Sequence, residues 1–89
     1  MDLDLILVGL SHRTAPLEVR ERYVVSPADL PACLAAILAI QGVKEAFVLS
    51  TCNRTEALVV GEPGLDLAPP VRAHLFRNVP DEQVYSWKG

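Results

Sequence analysis

The stretch SPADLPACLAAILAIQGVKEAFVLSTCNRTEALVV, residues 26–60, decides the fold. It opens on a helix start. Ser26 is a good N-cap, Pro27 fits the first helical position, and Asp29 follows three residues after the cap, where it faces the positive end of the helix dipole. Leu30, Cys33, Leu34, Ile37, Leu38 and Gln41 then recur at helical spacing and form one largely apolar stripe. Pro31 falls within the first turn, where a missing N–H costs little. Gly42 is the expected C-terminal stop. Beyond it the period changes. Val43 to Leu49 predicts a strand, with Ala46, Phe47, Val48 and Leu49 as its buried end, and Thr55 to Val60 predicts another. The link between them, Ser50-Thr51-Cys52-Asn53-Arg54, is short enough for a hairpin.

Upstream of this unit, Leu3, Leu5 and Leu7, with Ile6 and Val8 between and after them, predict a buried first strand ending at Gly9 to Ser11. Ser11 to Pro16 is a polar loop, and Pro16 biases Ala15 away from the α region. Leu17 to Tyr23 predicts a short helix with Glu18 and Arg22 as an i,i+4 pair. Downstream, Gly61-Glu62-Pro63-Gly64 is a turn by composition. Pro69 and Pro70 mark a helix start, and Val71 to Asn78 directs Val71, Leu75 and Phe76 toward a core. Val79-Pro80-Asp81 is a turn, and Val84 to Trp87 a last strand. The order strand, helix, strand, strand, helix, strand is the split βαβ pattern of ferredoxin-like α+β domains. Two helices are expected to cover one face of an antiparallel sheet.

Composition narrows the partners. The 89 residues suit one domain, which at this size buries only about 60–65% of the surface of its unfolded chain. Hydrophobic residues make up 51%, too many for a disordered segment. A formal charge of −3 gives no bulk attraction to phosphates, so any contact with RNA must be local. The apolar run Leu5 to Leu10 is far shorter than the roughly 20 residues of a membrane helix. Asp2 and Asp4 precede it, where a signal peptide would be basic. Cys33 and Cys52 make no disulfide framework, and no CxxC or His-x-x-x-His spacing suggests zinc. A reduced, cytoplasmic protein without a bound metal is the expectation.

Five side chains invite a chemical reading. Cys33 lies on the apolar stripe of a helix and reads as a small core residue. Cys52 lies where a buried strand hands over to a polar loop, with Arg54 two residues on. A nearby guanidinium favours thiolate, the reactive form, and backbone N–H groups in such a turn can stabilise an oxyanion. His12 either ties its loop to the sheet or takes part in catalysis. His74, between Arg72 and Arg77 on the last helix, reads as a surface or packing residue. Arg54 has two readings as well: a surface ion pair with Glu56, or a fork that binds a carboxylate ligand.

Two segments carry a family resemblance. Gly9-Leu10-Ser11-His12-Arg13-Thr14-Ala15-Pro16, followed by Glu18-Val19-Arg20-Glu21-Arg22, resembles the opening signature of glutamyl-tRNA reductases. Leu49-Ser50-Thr51-Cys52-Asn53-Arg54-Thr55-Glu56 resembles their nucleophile motif. The two have the family's separation, with the capped helix between them. The resemblance is close from Leu5 to Glu56. It is looser from Ala57 to Gly89, where Ala57-Leu58 replaces an aromatic that often follows the motif.

The resemblance implies that Cys52 thiolate attacks the ester carbonyl of glutamyl-tRNA, expels tRNA and holds glutamate as a thioester. NADPH then reduces the thioester to glutamate-1-semialdehyde, for tetrapyrrole (haem) synthesis. It further implies that Thr51 and Arg54 hold the glutamyl group, with Arg54 on its α-carboxylate, and that Ser11 and His12 lie in the loop flanking this pocket. Residues 1–89 would be one amino-terminal catalytic domain, ending before the family's catalytic histidine, its NADPH domain and its dimerisation domain. NADPH is therefore expected on the full-length enzyme and not on this chain, which alone is expected to be inactive as a reductase, with at most slow chemistry on small activated esters. His74-Leu75-Phe76-Arg77 is similar to the family's His-Leu-x-Arg stretch, but no Gly-Leu-Asp-Ser follows, so His74 is not expected to be that histidine. The implied partners are glutamyl-tRNA, a second copy in a homodimer, and glutamate-1-semialdehyde aminotransferase. Two other readings stay open: a stand-alone ferredoxin-like binding module without chemistry, and an unrelated cysteine acyl-transfer enzyme, which lacks a visible His–Asp partner set.

Overall fold

Side chains alternate between the two faces of each strand, and helices cover only one of those faces. The computed structural model describes residues 3–89; Met1 and Asp2, the latter read above as acidic sequence ahead of the first strand, lie outside the described residues. The elements are β1 (Asp4–Ser11), α1 (Leu17–Arg22), α2 (Leu30–Leu38), β2 (Val43–Ser50), β3 (Arg54–Gly61), α3 (Ala68–Leu75), a single 3-10 turn (Asp81–Gln83) and β4 (Tyr85–Lys88). The sheet order is β2-β3-β1-β4, and every neighbouring pair is antiparallel. This is the ferredoxin-like α+β arrangement, with α1 added after the first strand. No helix among the described residues is long and apolar enough to cross a membrane.

The covered face holds the core. Ile6, Val8 and Leu10 of β1, Ala57 and Val59 of β3 and Val48 of β2 are buried against Ile37 of α2 and Val71, Leu75 and Phe76 at α3. The end of α1 docks there too: Tyr23 packs edge-on against Phe76, with ring centroids 6.2 Å apart, and its hydroxyl donates to the Arg77 carbonyl.

β1 ends at Ser11, within the Gly9 to Ser11 stretch expected to close it, and Gly9, Leu10 and Ser11 pair with Glu56, Thr55 and Arg54 as its last rungs. Several other expectations need correction. Phe47 and Leu49 are not a buried end. They are 59% and 39% exposed, because they point to the uncovered face while Val48 between them points to the helices. Leu38, placed on the apolar stripe, is also exposed, as is Gln41. Ser26 caps a turn rather than the helix proper. Its hydroxyl accepts from the Asp29 N–H and donates to the Asp29 carboxylate, and α2 starts one turn later at Leu30 with Asp29 as its N-cap. The helix stops at Leu38, and Gly42 ends the following turn with φ +96°, a conformation that a residue with a Cβ rarely adopts. α3 ends at Leu75 rather than Asn78. Glu18 and Arg22 form no ion pair among the described residues.

Candidate active site

Strand register brings the two sequence motifs together. Ser11, last residue of β1, pairs with Arg54, first residue of β3, and the His12 N–H donates to the Asn53 carbonyl at 2.7 Å. Cys52 therefore sits at the middle of the three-residue connection Thr51–Asn53 between β2 and β3, beside the loop that follows β1. Thr51, Cys52, Asn53, Arg54 and His12 are exposed, while Ser11 is buried.

The connection is held from inside and outside. Its own closure comes from Thr51, whose N–H donates to the Arg54 carbonyl at 2.8 Å and whose hydroxyl oxygen accepts from the N–H groups of Asn53 and Arg54 at 3.2 and 3.3 Å. The hairpin root is tied to the segment after α1 by three hydrogen bonds in series. The Val25 N–H donates to Ser50 Oγ at 2.9 Å, the hydroxyls of Ser50 and Thr55 meet at 2.8 Å, and the Thr55 hydroxyl donates to the Tyr23 carbonyl at 3.3 Å. Arg20 of α1 closes the remaining side. Its Nη1 donates to the Cys52 carbonyl at 2.9 Å and its Nε to the Ala15 carbonyl at 3.2 Å. The Cys52 N–H has no protein acceptor among the described residues.

Ser11 organises the neighbouring loop. Its hydroxyl accepts from the Arg13 N–H at 3.2 Å, and its backbone N–H and carbonyl both bond to Thr14. Arg54 lies on the open face of the sheet, where its Nη1 is 3.6 Å from Glu56 Oε1. The ion pair anticipated with Glu56 is thus present. It engages Nη1 of a guanidinium whose side chain is 45% exposed. His74 is exposed on α3, and no hydrogen bond joins it to this cluster.

The two cysteines differ as the sequence suggests. Cys52 is exposed. Cys33 is half-buried against the core, and burial pushes its thiol above the ordinary value. A groove of about 470 Å³ lies between α3 and β4 and includes no residue of the Cys52 connection. A smaller apolar depression of about 130 Å³, lined by Leu7, Phe47, Leu49, Glu56 and Leu58, adjoins the Arg54–Glu56 pair on the open face.

Sequence reasoning missed Arg20, Ser50, Thr55 and Tyr85. Arg20 stood inside the first motif, but nothing local distinguishes it from Arg22. Ser50 and Thr55 flank the connection symmetrically, a cross-strand hydroxyl pair that the hairpin itself makes possible.

Comparisons with known proteins bear on the family and on the fold. The family model described as "Glutamyl-tRNAGlu reductase, N-terminal domain" matches residues 8–85. A glutamyl-tRNA reductase of Thermus thermophilus is 56% identical over 64 residues, covering 71% of this chain and 15% of that protein. One of Solibacter usitatus is 47% identical over 64 residues, covering 72% and 15%. The solved structure of glutamyl-tRNA reductase from Methanopyrus kandleri superposes with a TM-score of 0.71 at 21% identity, over 96% of this chain and 19% of that one; it supports the fold. The chain spans about 15% of the length of these curated relatives. With both motifs assembled around one hairpin tip and the family model matching most of its length, the chain belongs to the family of glutamyl-tRNA reductase N-terminal domains.

Proposed function

We propose that this chain is the acyl-accepting part of a glutamyl-tRNA reductase, with Cys52 as nucleophile. The observation that carries the reading is an exposed thiol on a connection held rigid by Arg20, Thr51 and the His12–Asn53 bond. A rigid mount holds a nucleophile in a near-attack geometry. In the step, the Cys52 thiol gives up its proton and its sulfur bonds to the ester carbon of the glutamyl group. The bond from that carbon to the tRNA ribose oxygen breaks, and the oxygen takes up a proton. The free Cys52 N–H is suited to the transient oxyanion. The Thr51 hydroxyl, whose oxygen already accepts two N–H groups, keeps its own proton to donate.

The chemistry also corrects one expectation. The α-carboxyl of glutamate is the ester under attack, so the carboxylate left free for Arg54 is the γ-carboxylate of the side chain. Arg54 then selects glutamate by its side chain, and Ser11 and His12 flank the site.

NADPH does not fit these residues. The sheet is antiparallel, whereas dinucleotide sites use a parallel sheet with a glycine-rich turn into a helix N-terminus. The first turns of α2 and α3 carry Pro31 and Pro69-Pro70, which have no N–H to offer a phosphate. We therefore assign hydride chemistry to a part of the enzyme other than these residues, and the chain by itself is expected to acylate without reducing.

The test is acylation by a small thioester, glutamate α-thiobenzyl ester, followed by intact-protein mass spectrometry. One glutamyl adduct per chain is expected, lost in Cys52→Ser and kept in Cys33→Ala, with no NADPH oxidation. The matching glutamine thioester should react more slowly. Arg54→Lys should lower the glutamate-over-glutamine ratio at least about tenfold, or about 1.4 kcal/mol, since it keeps the charge but loses the fork. Absence of an adduct, or an adduct on Cys33, removes Cys52 from its role. A ratio near one in the unaltered chain removes Arg54 from its own.

A further inference from the structure

Glu56, Gly9 and Tyr85 stand in one row across β3, β1 and β4, because Gly9 pairs with Glu56 on one side and with Tyr85 on the other. All three lie on the open face, level with the first residues after the Cys52 connection. The Tyr85 hydroxyl donates to Glu56 Oε2 across the central strand, while Glu56 Oε1 faces Arg54. One carboxylate thus joins a phenol to a guanidinium, each on its own oxygen.

The crossing depends on the glycine between them. A Cβ at position 9 would stand 2.6 Å from Glu56 Cγ and 3.1 Å from Tyr85 Cε1, with the Thr55 carbonyl at 3.0 Å. Any side chain there would push the two partners apart. The Glu56 side chain is only 16% exposed, so its carboxylate is poorly solvated and needs both partners. Tyr85 is pushed up to about 12, by burial and then by the adjoining carboxylate. Its proton therefore stays on the oxygen at neutral pH, and the hydroxyl remains a donor.

Arg54 by itself is a long side chain at a strand end, with several rotamers open to it. An isolated ion pair at 3.6 Å restricts it weakly when Glu56 is also free to rotate. A Glu56 fixed at its other oxygen is a different partner, because the carboxylate cannot swing to follow the guanidinium.

We propose that Tyr85 is a positioning residue for substrate selection: its hydroxyl fixes Glu56 across Gly9, and Glu56 fixes the Arg54 guanidinium toward the substrate's side-chain carboxylate. This rests on the reading of Arg54 above. Tyr85 touches neither the substrate nor the reacting atoms in this reading. Its hydroxyl also lies against the Ser11 side chain, and a double-mutant cycle separates that contact from the one made through Glu56.

The test is a double-mutant cycle read as the glutamate-over-glutamine acylation ratio with the two thiobenzyl esters. Tyr85→Phe removes one oxygen and leaves the ring packed. It should slow the glutamyl ester about fivefold more than the glutaminyl ester, the effect of one hydrogen bond. Glu56→Gln should lower the ratio at least as much. The double variant should be no worse than Glu56→Gln alone, because the two act in series. Circular dichroism and melting temperature serve as controls for folding. Additive effects, an unchanged ratio in Tyr85→Phe, or equal slowing of both esters would each overturn the proposal while leaving Arg54's role intact. A ratio near one in the unaltered chain, or no acylation at all, overturns the Arg54 reading and this proposal with it.

Discussion

The two faces of one sheet have opposite characters. On the covered face, Ile6, Val8, Leu10, Ala57 and Val59 are buried beneath α2 and α3. On the open face the same strands present Leu7, Phe47, Leu58 and Trp87 in one row, with Leu49, Glu56, Gly9 and Tyr85 in the next toward the Cys52 connection. Local propensity does not separate these sets, since both are rich in strand formers. Position does. The covered side chains hold the fold together, and the open ones are free to be chosen for chemistry. Cys52 stands at the edge where the faces meet: Ser50 and Thr55 anchor its hairpin on the covered side, and Arg54 opens toward the other.

The sharpest way to break this contrast is a pair of phenylalanine truncations. Phe76→Ala, at a side chain 1% exposed, should cost about 3–5 kcal/mol, enough to threaten the whole domain. Phe47→Ala, at 59% exposure, should change stability by no more than about 0.5 kcal/mol. Urea melts of both variants measure the difference. Equal losses would mean that the open face is core.

The thiols offer a second contrast. A mild alkylating reagent should modify Cys52 at least about tenfold faster than Cys33 in the native state, since reactivity follows thiolate fraction and access. Peptide mapping after brief labelling reads the ratio, and faster labelling of Cys33 would contradict the assignment. Cys33→Ala should cost about 1 kcal/mol through a small cavity.

The smallest effect belongs to the sheet's far end. Asp4 bridges Lys88 and the Gly64 N–H, and these two hold its carboxyl below the ordinary value of 3.8. A depressed carboxyl stabilises the folded state above its unfolded pKa, and that contribution disappears as pH falls through the folded value. Asp4→Asn should therefore lower the melting temperature slightly at pH 7 and not at all near pH 2. A difference that grows on acidification would be the wrong sign.

How far the sequence could be read follows from the range of each signal. The helix period from Leu30 to Ile37, the hairpin around Cys52 and the element order are local, and they led to the ferredoxin-like topology. Alternation marks which strand residues share a face, but it does not say which face the helices cover. Phe47 and Leu49 were misassigned for that reason. The site residues legible in sequence were those clustered in the two motifs. Arg20 and Tyr85 bond to groups 32 and 29 residues away along the chain, and such pairings become visible only when the register is known.

The order β2-β3-β1-β4 also has a consequence for how the chain acquires its shape during synthesis. β1 is made first, yet both of its neighbours come later: β3 ends at Gly61 and β4 at Lys88. The hairpin that carries Cys52 needs only adjacent residues and can close early, whereas the strand that carries Ser11 must wait for partners at the middle and far end of the chain. Contacts between such distant segments are slow to form, because the loop-closure entropy is lost before the contacts stabilise anything. The thiol is thus mounted on a local unit, while the row Glu56, Gly9 and Tyr85 that flanks it is completed only when the last strand docks.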